Sequence, residues 1–264
     1  MIAYPNIDPV LLQIGPLALR WYGLMYSLAF LIGWPLLLAR SKRFLPQLSQ
    51  EDVGDLILWI LLGVILGGRA GYILFYQFDY YLNNPWAMLR VWEGGMAFHG
   101  GLLGVLTVCV LFARKHHLNC LSLADLVAPI APIGFFLGRI GNFINGELWG
   151  RTTDLPWGMI FPGAGAEPRH PSQLYQAGLE GLGLFLLLQW LGRRSRPPGF
   201  LLGWFLAGYG ICRFLAEFVR QPDPQLGLLA LGLSMGQWLS IPMIVAGVGL
   251  WLFSLRHPLP VPDP

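Results

Sequence analysis

The sequence predicts an all-α polytopic membrane protein with seven transmembrane helices, its N-terminus periplasmic and its C-terminus cytoplasmic. Three observations carry that expectation. Hydrophobic residues make up 55% of the chain and charged residues only 12%, half the roughly 25% usual in a soluble domain. Apolar stretches of the length a bilayer demands, about 20 residues, recur along the chain. Basic residues gather in alternate connectors, the pattern that marks cytoplasmic loops.

The stretches follow in order. The first covers 21–39 and is closed by Arg40, Lys42 and Arg43. The second covers 56–76, and the third, 96–113, ends on Arg114 and Lys115. The fourth covers 121–140, and the fifth, 174–192, ends on Arg193, Arg194 and Arg196. The sixth covers 199–219, and the seventh, 236–254, is followed by Arg256. The other connectors hold only scattered cations: Arg20, Arg90, Arg151, Arg169 and Arg220. The clusters therefore belong in the cytoplasm, and the loops around 77–95 and 141–173 outside.

No hydrophilic block is long enough for a second domain, so residues 1–264 read as one integral membrane domain. Eleven Trp and nine Tyr suit the aromatic belts at the two interfaces. Residues 1–19 contain no Lys or Arg, so the positive start of an ordinary signal peptide is missing. Cys109, Cys120 and Cys212 show no CxxC spacing and no histidine at ligand spacing. They read as small apolar residues, and neither a metal nor another cofactor is expected. No nucleic-acid partner is expected either.

Depth along each span locates the chemistry. At 1.5 Å per residue from the cytoplasmic end, Arg69 lies roughly 20 Å up, Arg213 roughly 21 Å and Arg139 roughly 27 Å, all in the outer half of a core about 30 Å thick. His99 opens the third span from the outside, and Glu180 lies a turn or two into the fifth. Charges inside a membrane are costly and mark function by default; the competing explanation is a set of structural Arg–Glu pairs. Asp125 alone falls in the inner half, behind Ser122 at a helix start, and reads as a cap.

On the sixth span Tyr209, Arg213, Glu217 and Arg220 recur at spacings of four, four and three, one polar stripe about 80° wide on an apolar helix. Glu217 can pair with either arginine. With Arg69 and Arg139 added, the outer half carries a positive surplus that favours an anion. The commonest anion at that depth is a phospholipid phosphate, which the planar guanidinium fork grips through two oxygens. Small-xxx-small pairs at Gly63/Gly67, Gly100/Gly104, Gly134/Gly138 and Gly199/Gly203 predict close helix packing. "GGRAG" (67–71) echoes "LGRIG" (137–141), an echo equally compatible with chance.

Three other readings fit the residues less well. "GLSMG" (232–236) fits the nucleophile-elbow pattern but precedes a membrane helix and lacks partners. A transporter or flippase for an anionic solute would spread polar groups through both halves, whereas the inner half is nearly bare. A structural scaffold leaves His99 and the clustered arginines unexplained together.

The motifs "MAFHGGLLG" (96–104), "GRIGNFINGELWGR" (138–151), "RHPSQLYQ" (169–176), "YGICRFLAEFVRQPD" (209–223) and "LSMGQWLSIPM" (233–243) closely resemble bacterial prolipoprotein diacylglyceryl transferase. The resemblance runs from "RWYG" (20–23) to the seventh span. It implies transfer of the diacylglyceryl group of phosphatidylglycerol to the thiol of a lipobox cysteine in a preprolipoprotein, forming a thioether and releasing glycerol phosphate. This would be the first step of lipoprotein maturation, at the inner membrane of a bacterium with the active site towards the outer leaflet. The resemblance implies catalytic roles for His99 and Arg139. It implies phosphatidylglycerol binding by Arg139, Asn142, Glu147, Arg213, Glu217 and Tyr22. Arg69, Tyr209, Arg151 and Arg220 are further candidates, not carried by the resemblance. One departure stands out: Gln176 occupies a position where the family usually has an acid. The attacking sulfur would come from the substrate, in keeping with the unremarkable cysteines here.

Overall fold

The computed structural model describes residues 2–15, 17–222 and 227–257. Helices dominate: α1 (Trp21–Phe44), α2 (Gln50–Tyr76), α3 (Phe78–Asn83), α4 (Phe98–Lys115), α5 (Cys120–Val127) and α6 (Ala131–Ile144). They are followed by α7 (Ser172–Gln176), a π-helical segment (Ala177–Gly183), α8 (Leu184–Leu191), α9 (Phe200–Ala216) and α10 (Met235–Arg256). Each of the seven predicted stretches is helical over most of its length. Four helices, α1, α2, α4 and α10, are long and apolar enough to cross a membrane, and α5 with α6 makes a fifth if the pair is one span bent by 41°. The bend falls at Ala128–Ile130, where Pro129 interrupts the fourth stretch because a proline supplies no N–H and crowds the preceding turn.

The expectation of a purely helical chain needs one amendment. Strand β1 (Ile2–Ala3) pairs parallel with β4 (Met159–Ile160), and β2 (Val10–Ile14) pairs antiparallel with β3 (Leu17–Arg20). Strands of two to five residues are too short to leave an alternating pattern in the sequence.

The chain divides into two compact units, Leu37–Ala124 and the residues on either side of it. Within Leu37–Ala124, α2 and α4 run antiparallel and touch backbone to backbone. A Cβ on Gly63 would stand 2.9 Å from the Gly104 carbonyl oxygen, and Gly67 meets Gly100 in the same way. The predicted small-residue pairs on these two helices thus work across the crossing, Gly63 with Gly104 and Gly67 with Gly100. One end is closed by a capping box of Ser49 and Asp52 and by His116, which stacks on Phe112 and pairs with Asp52 at 3.6 Å.

In the other unit α9 and α10 pack antiparallel through Gly203 against Trp251 and Gly210 against Ile244. Leu191, Phe200 and Leu201 form a buried cluster beside Trp204 and Trp251. Two predicted small-residue pairs behave differently here. Gly134 and Gly138 face open space, and Gly199 is a left-handed N-cap (φ 90°). Asp125 is a cap, but not of its own helix. Its Oδ2 accepts from Gly199 N at 2.8 Å and its Oδ1 from Leu202 N at 2.7 Å, closing the start of α9. The start of α5 is capped instead by Asn119, whose Oδ1 accepts from Leu121 N and Ser122 N.

Basic residues sit in the last turns of α1 (Lys42, Arg43), α4 (Arg114, Lys115) and α10 (Arg256). Reporter fusions at Arg43, Lys115 and Arg196 are expected to read cytoplasmic. A periplasmic signal from any of them would break the depth argument that groups the polar residues.

Candidate active site

The larger unit gathers its charges where α6, the π segment and α9 meet. Gly181 makes this possible: a Cβ there would lie 2.6 Å from Phe136 Cβ, so α6 and the π segment touch at their backbones. One residue before Gly181 stands Glu180, and one turn after Phe136 stands Arg139. The close crossing lets the Glu180 carboxylate, 1% exposed, reach Arg139 Nη2 at 3.4 Å. Its other oxygen is 3.7 Å from Arg213 Nη1 on α9. A π turn inserts one residue into a helix and is found often at functional sites.

The stripe predicted on the sixth span is present. Arg213 Nη2 lies 2.6 Å from Glu217 Oε1, and Arg220 Nη1 lies 3.6 Å from the same oxygen, so Glu217 pairs with both arginines. Ser234 donates its Oγ–H to Glu217 Oε2 at 2.7 Å while capping α10 with Gln237. The serine of "GLSMG" is therefore a helix cap and a carboxylate anchor. A small hollow is lined by Arg213, Glu217, Arg220, Ser234 and Gly236.

The arginines differ in how fully they are used. Arg139 offers five N–H groups, yet only Nη2 has a partner among the described residues, the rather long contact to Glu180. Among the described residues, Arg139 and Arg213 share Glu180, and Arg213 and Arg220 share Glu217. Such a cluster, mostly withdrawn from water, favours an anion with several oxygens.

Other predicted residues of this unit are held by the protein itself. Asn142 donates to Glu147 Oε1 at 2.9 Å, as does Asn145 at 3.2 Å. Tyr22 packs on Gly141, where a Cβ would come within 2.9 Å of its ring, and its hydroxyl lies 3.3 Å from that of Tyr26. Tyr209 packs against Phe135 at 4.8 Å between ring centres. Arg151 donates Nε–H to the Arg220 carbonyl at 3.1 Å, tying the loop after α6 to the end of the stripe. Gln176 is buried and its amide nitrogen has no hydrogen-bond partner among the described residues.

That loop is built on main-chain contacts. Tyr4 donates to the Phe143 carbonyl at 2.6 Å and to Ile144 at 2.9 Å, covering the end of α6. Burial raises the Tyr4 phenol above its ordinary value and holds His170 below the usual imidazole range.

The smaller unit holds His99 and Arg69. His99 stands in the first turn of α4, exposed, with no hydrogen-bond partner among the described residues and its ring edge-on to that of Phe98. Arg69 is 5% exposed and bonded throughout to main-chain carbonyls. The echo between "GGRAG" and "LGRIG" is thus one of sequence only: one arginine grips carbonyls, the other a carboxylate.

Glu180 is the residue that sequence reasoning left out of the site. It was legible as an acid in the apolar run 174–192, but nothing in the spacing says that two arginines share it.

A family model described as prolipoprotein diacylglyceryl transferase matches residues 9–253. The chain is 56% identical over 264 residues to a phosphatidylglycerol–prolipoprotein diacylglyceryl transferase of Bordetella parapertussis, covering 98% of this chain and 99% of the relative. It is 52% identical over 252 residues to one so named from Legionella pneumophila, with 95% and 98% covered. The relative so named from Idiomarina loihiensis is 54% identical over 248 residues, with 93% and 92% covered.

Proposed function

Because the chain belongs to the prolipoprotein diacylglyceryl transferase family, and is thereby a transferase, we propose that it moves the diacylglyceryl group of phosphatidylglycerol to the lipobox cysteine of a preprolipoprotein. The observation that carries this reading is Arg139. Its guanidinium is held by one carboxylate contact and, among the described residues, the rest of its fork has no partner, beside Arg213 on the same carboxylate. A lipid phosphate can take those N–H groups through two oxygens.

The chemistry is a displacement at an sp³ carbon. His99 takes the proton of the substrate thiol, since the thiolate is the nucleophile. The sulfur attacks the glyceryl carbon that bears the phosphate. A C–S thioether bond forms, the C–O bond breaks, and its electron pair leaves on the phosphate oxygen as glycerol phosphate. Arg139 and Arg213 steady the charge gathering on that leaving group. Asn142, Glu147, Glu217 and Tyr22 support the binding of phosphatidylglycerol, with Tyr209, Arg151 and Arg220 around them. The enzyme is a single membrane domain with seven spans in the bacterial inner membrane, its N-terminus periplasmic and its chemistry towards the outer leaflet.

The test uses purified enzyme, phosphatidylglycerol labelled in its acyl chains, and a lipobox peptide. Label should pass to the peptide thiol as glycerol phosphate appears in equal amount. A peptide with an alkylated cysteine should accept nothing. Label released as free lipid, with the peptide unmodified, would refute transfer. In the same assay the triple variant Cys109→Ala, Cys120→Ala and Cys212→Ala is expected to turn over within a few-fold of wild type. A folded but inactive triple variant would mean that an enzyme thiol takes part.

A further inference from the structure

Arg69 is a cation about two turns before the end of α2, yet its partners are not acids. Its Nε–H donates to the Met88 carbonyl at 3.0 Å. Nη1 donates to the carbonyls of Gly94 and Gly95, and Nη2 to those of Ala87 at 2.6 Å and Arg90 at 3.2 Å. The guanidinium also lies over the Tyr81 ring, 5.1 Å from its centre. The donors of one side chain are thus spent on five carbonyls from residues 87–95. That stretch consists of short 3-10 turns and a glycine pair with φ of 88° and 77°. It has few main-chain bonds of its own, so its carbonyls need donors from elsewhere.

The stretch leads straight into His99. Beyond Gly95 the chain stays pinned to α2: Ala97 N donates to the Gly68 carbonyl at 2.9 Å, Met96 lies against Gly68, and Gly100 is pressed between Gly67 and Gly71. The imidazole has no hydrogen bond to a described residue. Its location is therefore set by its backbone, and its backbone is set by α2.

We infer that Arg69 is a positioning residue for His99: it clasps residues 87–95 by their carbonyls and so fixes the entry into α4, and it does not bind the lipid phosphate. A phosphate would need a pair of unspent N–H groups, and Arg69 has none to give. Lysine cannot substitute, having three donors on a single nitrogen instead of a planar fork of five. The role in transfer rests on the reading of His99 as the base; the clasp itself does not.

The experiment compares Arg69→Lys, Arg69→Gln and Gly95→Ala with wild type and with His99→Gln, all as purified full-length protein. Gly95→Ala disturbs the clasp without removing the charge, since a Cβ there would meet the Tyr72 ring at 2.6 Å and Arg69 Nη1 at 2.9 Å. It keeps the test alive if the Arg69 variants fail to fold. Amide hydrogen exchange over residues 84–99 and the kinetics with phosphatidylglycerol are measured on each. Faster exchange in that segment is expected, with turnover down by up to about 10²-fold, the scale of a misplaced catalytic group, and KM for the lipid within about twofold. A raised KM with unchanged turnover would overturn the inference in favour of phosphate binding. Unchanged exchange would overturn the clasp. Faster exchange with full turnover, while His99→Gln is inactive, would overturn the positioning role. An active His99→Gln would remove the base reading and the positioning role together, and the exchange result would still show whether the clasp exists.

Discussion

His99→Gln is expected to lower transfer by about 10²-fold or more, the usual scale for losing a general base, while phosphatidylglycerol still binds. Glutamine keeps much of the size and polarity of the imidazole but cannot take up a proton near neutral pH. The side chain at 99 is exposed and bonds to no described residue, so exchanging it removes no internal hydrogen bond and should leave the fold intact. That separates chemistry from stability more cleanly than at a buried site. Turnover at the wild-type rate at neutral pH would rule out the base and leave His99 as a residue of α4 without a chemical part.

Arg139→Lys is expected to cost about 10²-fold, as removing one preorganised charge stabiliser does, and Arg139→Ala slightly more, with both proteins folded. From sequence, the rival role for Arg139 was a structural Arg–Glu pair. The partner is in fact Glu180, at 3.4 Å, and a lysine ammonium could satisfy that carboxylate equally well. Only a ligand gripped by the fork tells the two side chains apart. The donor should also need its anionic head, so phosphatidylethanolamine should be a poor substitute. Wild-type transfer by Arg139→Lys would end the two-oxygen phosphate reading and leave a helix-pairing role.

The two units were legible in the sequence to different depths. The helices were read because apolar runs and alternating cations are local signals, and the ends of α1, α4 and α10 fall close to the expected cations. The break before α6 was signalled by Pro129 and passed over, because an apolar run looks the same straight or bent. The stripe was legible from the helical period: Tyr209 and Arg213 lie on α9, Glu217 is its C-cap, and Arg220 follows four residues past its end. What spacing could not give were pairings between helices. Glu180 shared by Arg139 and Arg213 and Gly141 receiving the ring of Tyr22 both depend on how separate helices cross, while Asn142 turned to Glu147 depends on how the chain folds back after α6. Gly138 was expected to pack closely together with Gly134, but it faces open space, and it is Gly141 that meets a neighbour, the ring of Tyr22. Arg69 was grouped with the phosphate ligands because depth was the only measure, and carbonyl partners leave no mark in a sequence.

The cap on α9 has a consequence for how the chain comes to be built. The first N–H groups of a helix have no acceptor within it, and at the start of α9 the contact is buried in the protein, away from water. For α9 two acceptors come from Asp125, 74 residues before Gly199 in the chain. A ribosome works from the N-terminus, so this carboxylate is already made when Gly199 and Leu202 emerge, and the late helix arrives at a terminus prepared for it. Synthesis in the opposite order would bring out α9 with two donors and no acceptor. The order of the helices along the gene is in this respect an assembly sequence, in which an early element stores the hydrogen-bonding capacity that a later one lacks.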